Sequence, residues 1–210
     1  MAAHAEDFPQ ENLNEDVEYL RIAWSNELNS PELLSFQSDL ISDMVEQVQN
    51  QQSFVDEIAA DTEALNDERA FTNKLYQMEI DRIKYMIASY LRLRLMKIEQ
   101  HTAHVLKESK DKLSQGETEY AEQYQQLYES HCKDLLLSKF PDDHNGLNDD
   151  NMVDKPELDT FVFCQSLEDN GNIQVDDRGA EHVNARKDDR HVLRYRAVAA
   201  LVDEGKMKLL

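Results

Sequence analysis

Apolar side chains between Leu75 and Ile98 recur too often for one helical face: Tyr76, Met78, Ile80, Ile83, Tyr85, Met86, Ile87, Tyr90, Leu91, Leu93, Leu95 and Met96. A helix that is apolar most of the way round is covered on several sides. Drawn as one rod from Leu75 to Glu108, it spans roughly 50 Å at the helical rise. The rest of a 210-residue chain can hardly wrap such a rod, so partner chains are the expected cover. The other helical patterns are more one-sided. Asp16 to Glu27 places Val17, Leu20, Ile22 and Trp24 at helical spacing. Ser30-Pro31-Glu32 has the form of an N-cap, a first-turn proline and a first-turn acid, and so predicts a second helix beginning there. That helix carries Ile41, Met44, Val45, Val48, Val55 and Ile58. A further helix is predicted from the capping box Ser114-Gln-Gly-Glu117 to about Lys139, with Tyr120, Tyr124, Leu127, Tyr128 and Leu135 along one side.

After Pro156 the period shortens. Thr160–Ser166, Asn172–Val175, Arg190–Arg196 and Lys206–Leu210 have strand composition. Glycine and proline mark the same change: no glycine precedes Gly116, and no proline lies between Pro31 and Pro141. Both residues break helices, so their absence permits long ones. The predicted organisation is an acidic flexible arm over 1–15, a helical domain over 16–139, a linker over 140–155 and a small β-rich domain over 156–210. The fold class is therefore mainly α, an N-terminal helical bundle followed by a C-terminal β-rich domain. The β-rich part is small enough that its core is marginal alone, and it is expected to dock onto something.

Charge narrows the functions. The net charge is −21, with −15 over residues 1–70 and +4 over residues 71–110. A surface so acidic repels a polyanion, so DNA contact is expected to be indirect at most. Lys84, Arg92, Arg94 and Lys97 punctuate the apolar helix. The simpler account pairs them with acids while their stems pack on apolar surface. The sharper one makes them a basic contact strip facing DNA or an acidic subunit. Two distant cysteines, Cys132 and Cys164, make no disulfide framework and favour a reducing compartment. Neither a secretory leader nor a membrane-length apolar run is seen. No Walker A, dinucleotide fingerprint, nucleophile elbow or HExxH motif occurs, and the expectation is no enzyme, catalytic residue, cofactor or metal site. His101 and His104 are better read as two half-exposed histidines than as half a metal site. Asp142, Asp143, His144, Asp149 and Asp150 fit a solvated linker better than a calcium loop, because Gly146 is out of register.

The run Gln77-Met-Glu-Ile-Asp-Arg-Ile-Lys-Tyr-Met-Ile-Ala-Ser-Tyr-Leu-Arg-Leu-Arg-Leu-Met-Lys-Ile-Glu99 closely resembles the hallmark helix of the SLD-five family of GINS subunits. Ile22-Ala-Trp24, Asn26-Glu27 and Pro31–Leu34 resemble its first helix and turn. Leu158–Phe163, His191–Arg196 and Leu201-Val202 to Leu210 resemble its C-terminal module. The resemblance covers about Val17 to Leu210 and implies a helical A domain before a β-rich B domain. It further implies a nuclear, non-catalytic scaffold at the replication fork, one of four GINS subunits. Its partners would be three sister subunits, with the MCM motor and the Cdc-forty-five protein reached through the complex to form the CMG helicase, and a primase-polymerase adaptor. No membrane is implied. Residues 1–15 have no clear counterpart of the adaptor-binding peptide known in yeasts. On this reading the subunit interface takes in Met78, Ile83, Ile87, Tyr90, Leu91, Leu95, Met96, Phe161, Phe163 and Tyr195. The rival readings are a helical tether in another nuclear assembly, a hydrolase using the histidine pair, and a DNA-binding module.

Overall fold

A computed structural model describes residues 10–60, 67–136, 139, 153–175 and 182–210. It has the predicted class: helices first, then a small strand-containing region. The helices are α1 (Gln10–Asn29), α2 (Ser38–Ala60), α3 (Asp67–Gln100), α4 (Thr102–Glu108), α5 (Gln115–Leu135) and α6 (Tyr195–Asp203). The strands are β1 (Phe161–Ser166), β2 (Gly171–Gln174), β3 (His182–Ala185), β4 (Arg190–Arg194) and β5 (Met207–Leu209). Two compact units result: one of Met1–Trp24 with Gln37–Tyr90, the other of Ser25–Phe36 with Leu91–Leu210.

Several boundaries differ from expectation. Helix α1 already runs from Gln10, inside the stretch read as a flexible arm, while residues 1–9 lie outside the described ones. Helix α2 opens at Ser38, not at Pro31. The Ser30 hydroxyl donates to the Glu32 carbonyl at 2.7 Å, so it closes a local turn instead of capping a helix. The long rod also breaks. Helix α3 starts earlier, at Asp67, and ends at Gln100; His101 leaves helical geometry (φ −123°, ψ 34°) before the short α4 resumes. The Thr102 hydroxyl takes the Ile98 carbonyl at 2.6 Å, satisfying an acceptor near the break. Arg190–Arg196 is strand only to Arg194; Tyr195 opens α6. Strand β3 was not foreseen. The linker expected over 140–155 lies largely at 140–152, outside the described residues.

In the first unit, α2 and α3 bury one-sided stripes: Ile41, Met44, Val48 and Val55 from α2, and Ile80, Ile83, Ile87 and Tyr90 from α3. Polar groups tie α1 to both of them. The Trp24 indole N–H donates to Ser89 Oγ at 3.0 Å, and Gln47 donates to Asp16 at 2.9 Å.

The second unit holds a three-stranded antiparallel sheet in the order β4-β1-β5 and a separate β2-β3 ribbon. Alternation in β1 is clean: Val162, Cys164 and Ser166 point inward, Phe161 and Phe163 outward. Helix α6 buries Tyr195, Val198 and Val202 in the same core. It ends at Gly205 in the left-handed conformation (φ 70°), with Lys206 N–H returning to the Leu201 carbonyl and Gly205 N–H to that of Val202, a Schellman closure. The small β-rich core does dock, and onto its own chain. Leu34 enters it, Ser25 Oγ donates to the Leu209 carbonyl at 2.8 Å, and Asn26 Oδ1 accepts from the Leu209 N–H at 2.7 Å. The preceding residue, Leu33, joins a different cluster with Ile98, Val105 and Ala121. Consecutive leucines of an irregular segment thus pin two cores of the same unit.

Candidate interaction surfaces

Arg94 stands at an inward position of α3, between the buried Tyr90 and Ile98, and is itself 0% exposed. A buried guanidinium is tolerable only when its donors are paired. Here Nε donates to Glu117 Oε1 at 2.7 Å and one terminal nitrogen to Glu117 Oε2 at 3.1 Å. The other terminal nitrogen reaches Glu27 Oε2 at 3.0 Å and the Leu34 carbonyl at 2.7 Å. The Lys112 carbonyl at 2.9 Å and the Phe36 ring, 5.2 Å from the guanidinium carbon, complete the shell. Lys97 joins through Glu27 Oε1 at 2.8 Å, Ser30 Oγ at 2.7 Å and the carbonyls of Glu27 and Glu32. Burial lowers the Lys97 pKa from its ordinary value, and the Glu27 carboxylate opposes that shift. Glu117 serves twice, since it is also the N3 residue of the α5 capping box. The network ties the end of α1, the irregular 30–36 segment, α3 and the start of α5 within one unit.

Of the four cations read as a contact strip, Arg94 is therefore not at the surface to meet DNA or a partner, and Lys97 is held by groups of its own chain. Lys84 is exposed and donates to Gln52 Oε1 at 2.7 Å. Arg92 is exposed with no ion pair among the described residues. The ten apolar interface candidates also divide. Ile83, Ile87, Tyr90 and Tyr195 lie in the interior, and Leu91 and Leu95 are half-buried. Met78, Met96, Phe161 and Phe163 are exposed, at 68, 63, 63 and 63%. Exposed apolar residues outside that set share their surfaces: Phe71, Leu75 and Tyr85 on α3, and Val192 and Leu210 beside β1. Phe71, Leu75, Met78, Arg82 and Tyr85 follow a four-three spacing along one side of α3. Their signal was present in the sequence for Tyr85, but Phe71 preceded the expected start of the helix.

The histidine pair flanks the break between α3 and α4. His101 Nδ1 lies 3.5 Å from an Asp154 carboxylate oxygen, within ion-pair range but without hydrogen-bond geometry. His104 Nδ1 is 3.7 Å from Glu108. A cavity of about 310 Å³ opens beside His101, lined also by Glu99, Tyr124, Tyr128 and Asp154. Among the described residues, no three of His, Cys, Asp and Glu converge to hold a metal ion. No described helix is long and apolar enough to cross a membrane.

Similarity to known proteins covers both the helical part of the chain and its strand-containing part. Residues 39–136 match the model of the GINS complex protein helical bundle domain, and residues 156–210 match the DNA replication complex GINS protein SLD5 C-terminus. The chain belongs to the SLD5 family of GINS proteins. Its relatives named DNA replication complex GINS protein SLD5 include one from Dictyostelium discoideum, 32% identical, with 92% of this chain and 91% of the relative covered. The Homo sapiens protein is 30% identical over 92% of this chain and 88% of its own length. The Arabidopsis thaliana protein is 30% identical over 93 and 91%. Membership makes the chain a subunit of a DNA replication complex, and no enzyme family is indicated.

Proposed function

We propose that this SLD5 chain is a non-catalytic scaffold subunit of a four-membered GINS assembly, working in the nucleus within the helicase formed with the MCM motor and the Cdc-forty-five protein. One observation carries the scaffold reading: α3 buries one stripe and leaves a second apolar stripe, Phe71, Leu75, Met78 and Tyr85, open to solvent. Exposed apolar patches that recur at helical spacing mark surfaces for another chain. The four-three spacing suits a partner helix from a sister subunit. The buried network around Arg94 supports the same role, since it spends charged groups on fixing the second unit and none on a reacting centre.

The test uses residues that the fold does not need. Leu75→Asp and Met78→Asp each place a charge on the exposed stripe. Either variant is expected to keep its helical circular dichroism and melting temperature when the chain is purified alone. Co-expressed with the three sister chains, it is expected to recover them at least about tenfold less well, because a desolvated unpaired charge at an interface costs several kcal/mol. Full recovery of the tetramer with both variants would overturn the α3 interface.

A further inference from the structure

The cavity of about 310 Å³ beside the break between α3 and α4 has walls of one chemical character. It lies wholly within the second unit. Two carboxylates line it, Glu99 and Asp154, together with the rings of Tyr124 and Tyr128 and the imidazole of His101. No lysine or arginine is among its described lining residues. The two tyrosines come from successive turns of α5 and continue a ladder begun by Tyr120, whose ring stacks on that of Tyr124 with centroids 6.3 Å apart. The Tyr120 hydroxyl donates to Glu99 Oε1 and so holds that carboxylate against the ladder. The His101 side chain is only 10% exposed, and its Nδ1 has no hydrogen-bond partner; the Asp154 carboxylate approaches it to 3.5 Å without hydrogen-bond geometry. A buried polar atom left unpaired costs stability, and folded proteins keep few of them.

We infer that this recess binds the guanidinium of an arginine side chain, presented by a basic segment of a protein outside the GINS assembly. The planar cation stacks on the tyrosine faces, and its forked donors meet the Glu99 and Asp154 carboxylates. A further N–H reaches His101 Nδ1, with the imidazole proton on Nε2. The volume sits at the small end of the ligand-pocket range, which runs from about 300 to 1,000 Å³, and suits one side chain. Charge selects the occupant. The adjoining stretch of this chain cannot supply the cation, since residues 140–152 hold four aspartates and no lysine or arginine. Lys155, next to Asp154, lies 3.6 Å from Glu108 instead. A second copy brings the same net charge of −21, and nucleic acid meets carboxylates of its own sign. Permanent subunit interfaces are mainly apolar, whereas one charged anchor in a polar recess suits a partner that comes and goes. The site is separate from the α3 stripe and does not rest on the scaffold reading.

The experiment reads fluorine NMR of fluorotyrosine in place of Tyr124, in the full-length chain alone and in the co-expressed four-subunit complex, at low ionic strength. The probes are an acetylated glycine-arginine-glycine amide and its lysine and citrulline counterparts, citrulline being the neutral isostere of arginine. The arginine peptide is expected to shift the resonance saturably in both samples. The citrulline peptide should bind at least about tenfold more weakly, because it loses the charge-assisted bonds and the cation–π contact. Glu99→Gln combined with Asp154→Asn should weaken the arginine peptide by at least about tenfold. Both residues are exposed, so the melting temperature should not move. Should that pair disturb the fold, Tyr128→Leu keeps apolar bulk without the ring face and should weaken binding about threefold. The absence of a saturable shift, equal binding of the lysine or citrulline peptide, or undiminished binding by these variants would overturn the inference. A shift in the isolated chain that vanishes in the complex would show that a sister chain covers the recess, and would overturn it too. Tighter binding of spermidine than of the arginine peptide would assign the recess to free polyamines, with the same consequence. Failure of the wild-type chains to form a tetramer would remove the scaffold reading and leave the recess to be read on the chain alone.

Discussion

Arg94 shows how much one residue can conceal in a sequence. It stands among Leu91, Leu93, Leu95 and Met96, and nothing in that spacing separates an arginine that faces a partner from one that faces the core. Its acids come from Glu27 and Glu117, 67 and 23 residues away. Glu117 was legible as a capping residue but not as an ion-pair partner. Removing the guanidinium leaves two buried carboxylates facing each other, so Arg94→Met is expected to destabilise the chain by about 3–5 kcal/mol. Arg92→Ala, two positions away and exposed, should stay within about 0.5 kcal/mol. Arg94→Lys should resemble the methionine variant more than the wild type, because an ammonium cannot reproduce the forked pair with Glu117. Urea titration of the three variants separates these outcomes, and equal midpoints for Arg94→Met and wild type would refute the buried network.

Tyr195 supplies a pH dependence at the same scale. Its phenol is buried, and burial followed by the Glu32 carboxylate pushes its pKa up, although no hydrogen-bond partner of good geometry meets the hydroxyl. A raised folded-state pKa means that the unfolded chain loses this proton first. The contribution is therefore fully present below the unfolded value of 10.0 and is lost as pH climbs above it. The Cys164 thiol, also raised by burial, acts with the same sign from its ordinary value of 9.0. Stability is expected to fall between about pH 9 and 11, by up to about 1.4 kcal/mol per pH unit for each such group. Tyr195→Phe should flatten that fall, leaving the cysteine's part. Parallel slopes for variant and wild type across this range would show that the phenol does not titrate in the unfolding transition.

Among the elements, those with a strong local signal were legible and those set by tertiary contact were not. The capping box at Ser114 fixed the start of α5 from four letters, and the side chain of Ser114 does accept from Glu117 N–H at 3.2 Å. Ser30-Pro31-Glu32 carries a comparable local signal, yet Leu33 and Leu34 are claimed by two cores, and the chain stays irregular until Ser38. Tertiary burial outweighs a cap worth about 1 kcal/mol. The strand expected over Arg190–Arg196 overruns into α6 by two residues, because Tyr195 is β-prone by type and only its helical spacing with Val198 and Val202 marks it as the start of a helix. The double use of Glu117 yields a contrast in kind. Ser114→Ala should cost about 1 kcal/mol, the loss of a cap, while Glu117→Ala should cost about 3 kcal/mol or more, since it also strands Arg94. Equal losses for the two, measured by chemical denaturation, would mean that Glu117 acts only as a cap.

For the whole molecule, the sequence declared that apolar surface exceeds what the chain can cover, but not which faces stay open. The open stripe of α3 and the outer face of the β-sheet depended on which side of each element the chain itself buries. Both surfaces are apolar and both belong to a chain of net charge −21, so two forces oppose each other when the chain is alone in solution. Like-charge repulsion holds copies apart at low ionic strength, and exposed apolar surface draws them together. Salt weakens the first: the screening length falls from about 30 Å at 0.01 M to about 8 Å at 0.15 M. It leaves the second largely intact. The isolated chain is thus expected to self-associate more as salt rises, the reverse of a protein held together by ion pairs. Light scattering across a salt series reads the effect directly. Leu75→Asp with Phe163→Asp should keep the chain monomeric to higher salt, since it adds charge to each open face without touching a core. Association that weakens with salt, or persists unchanged in the double variant, would show that copies meet through other surfaces. Adding the three sister chains should suppress self-association of the wild type if they occupy these faces.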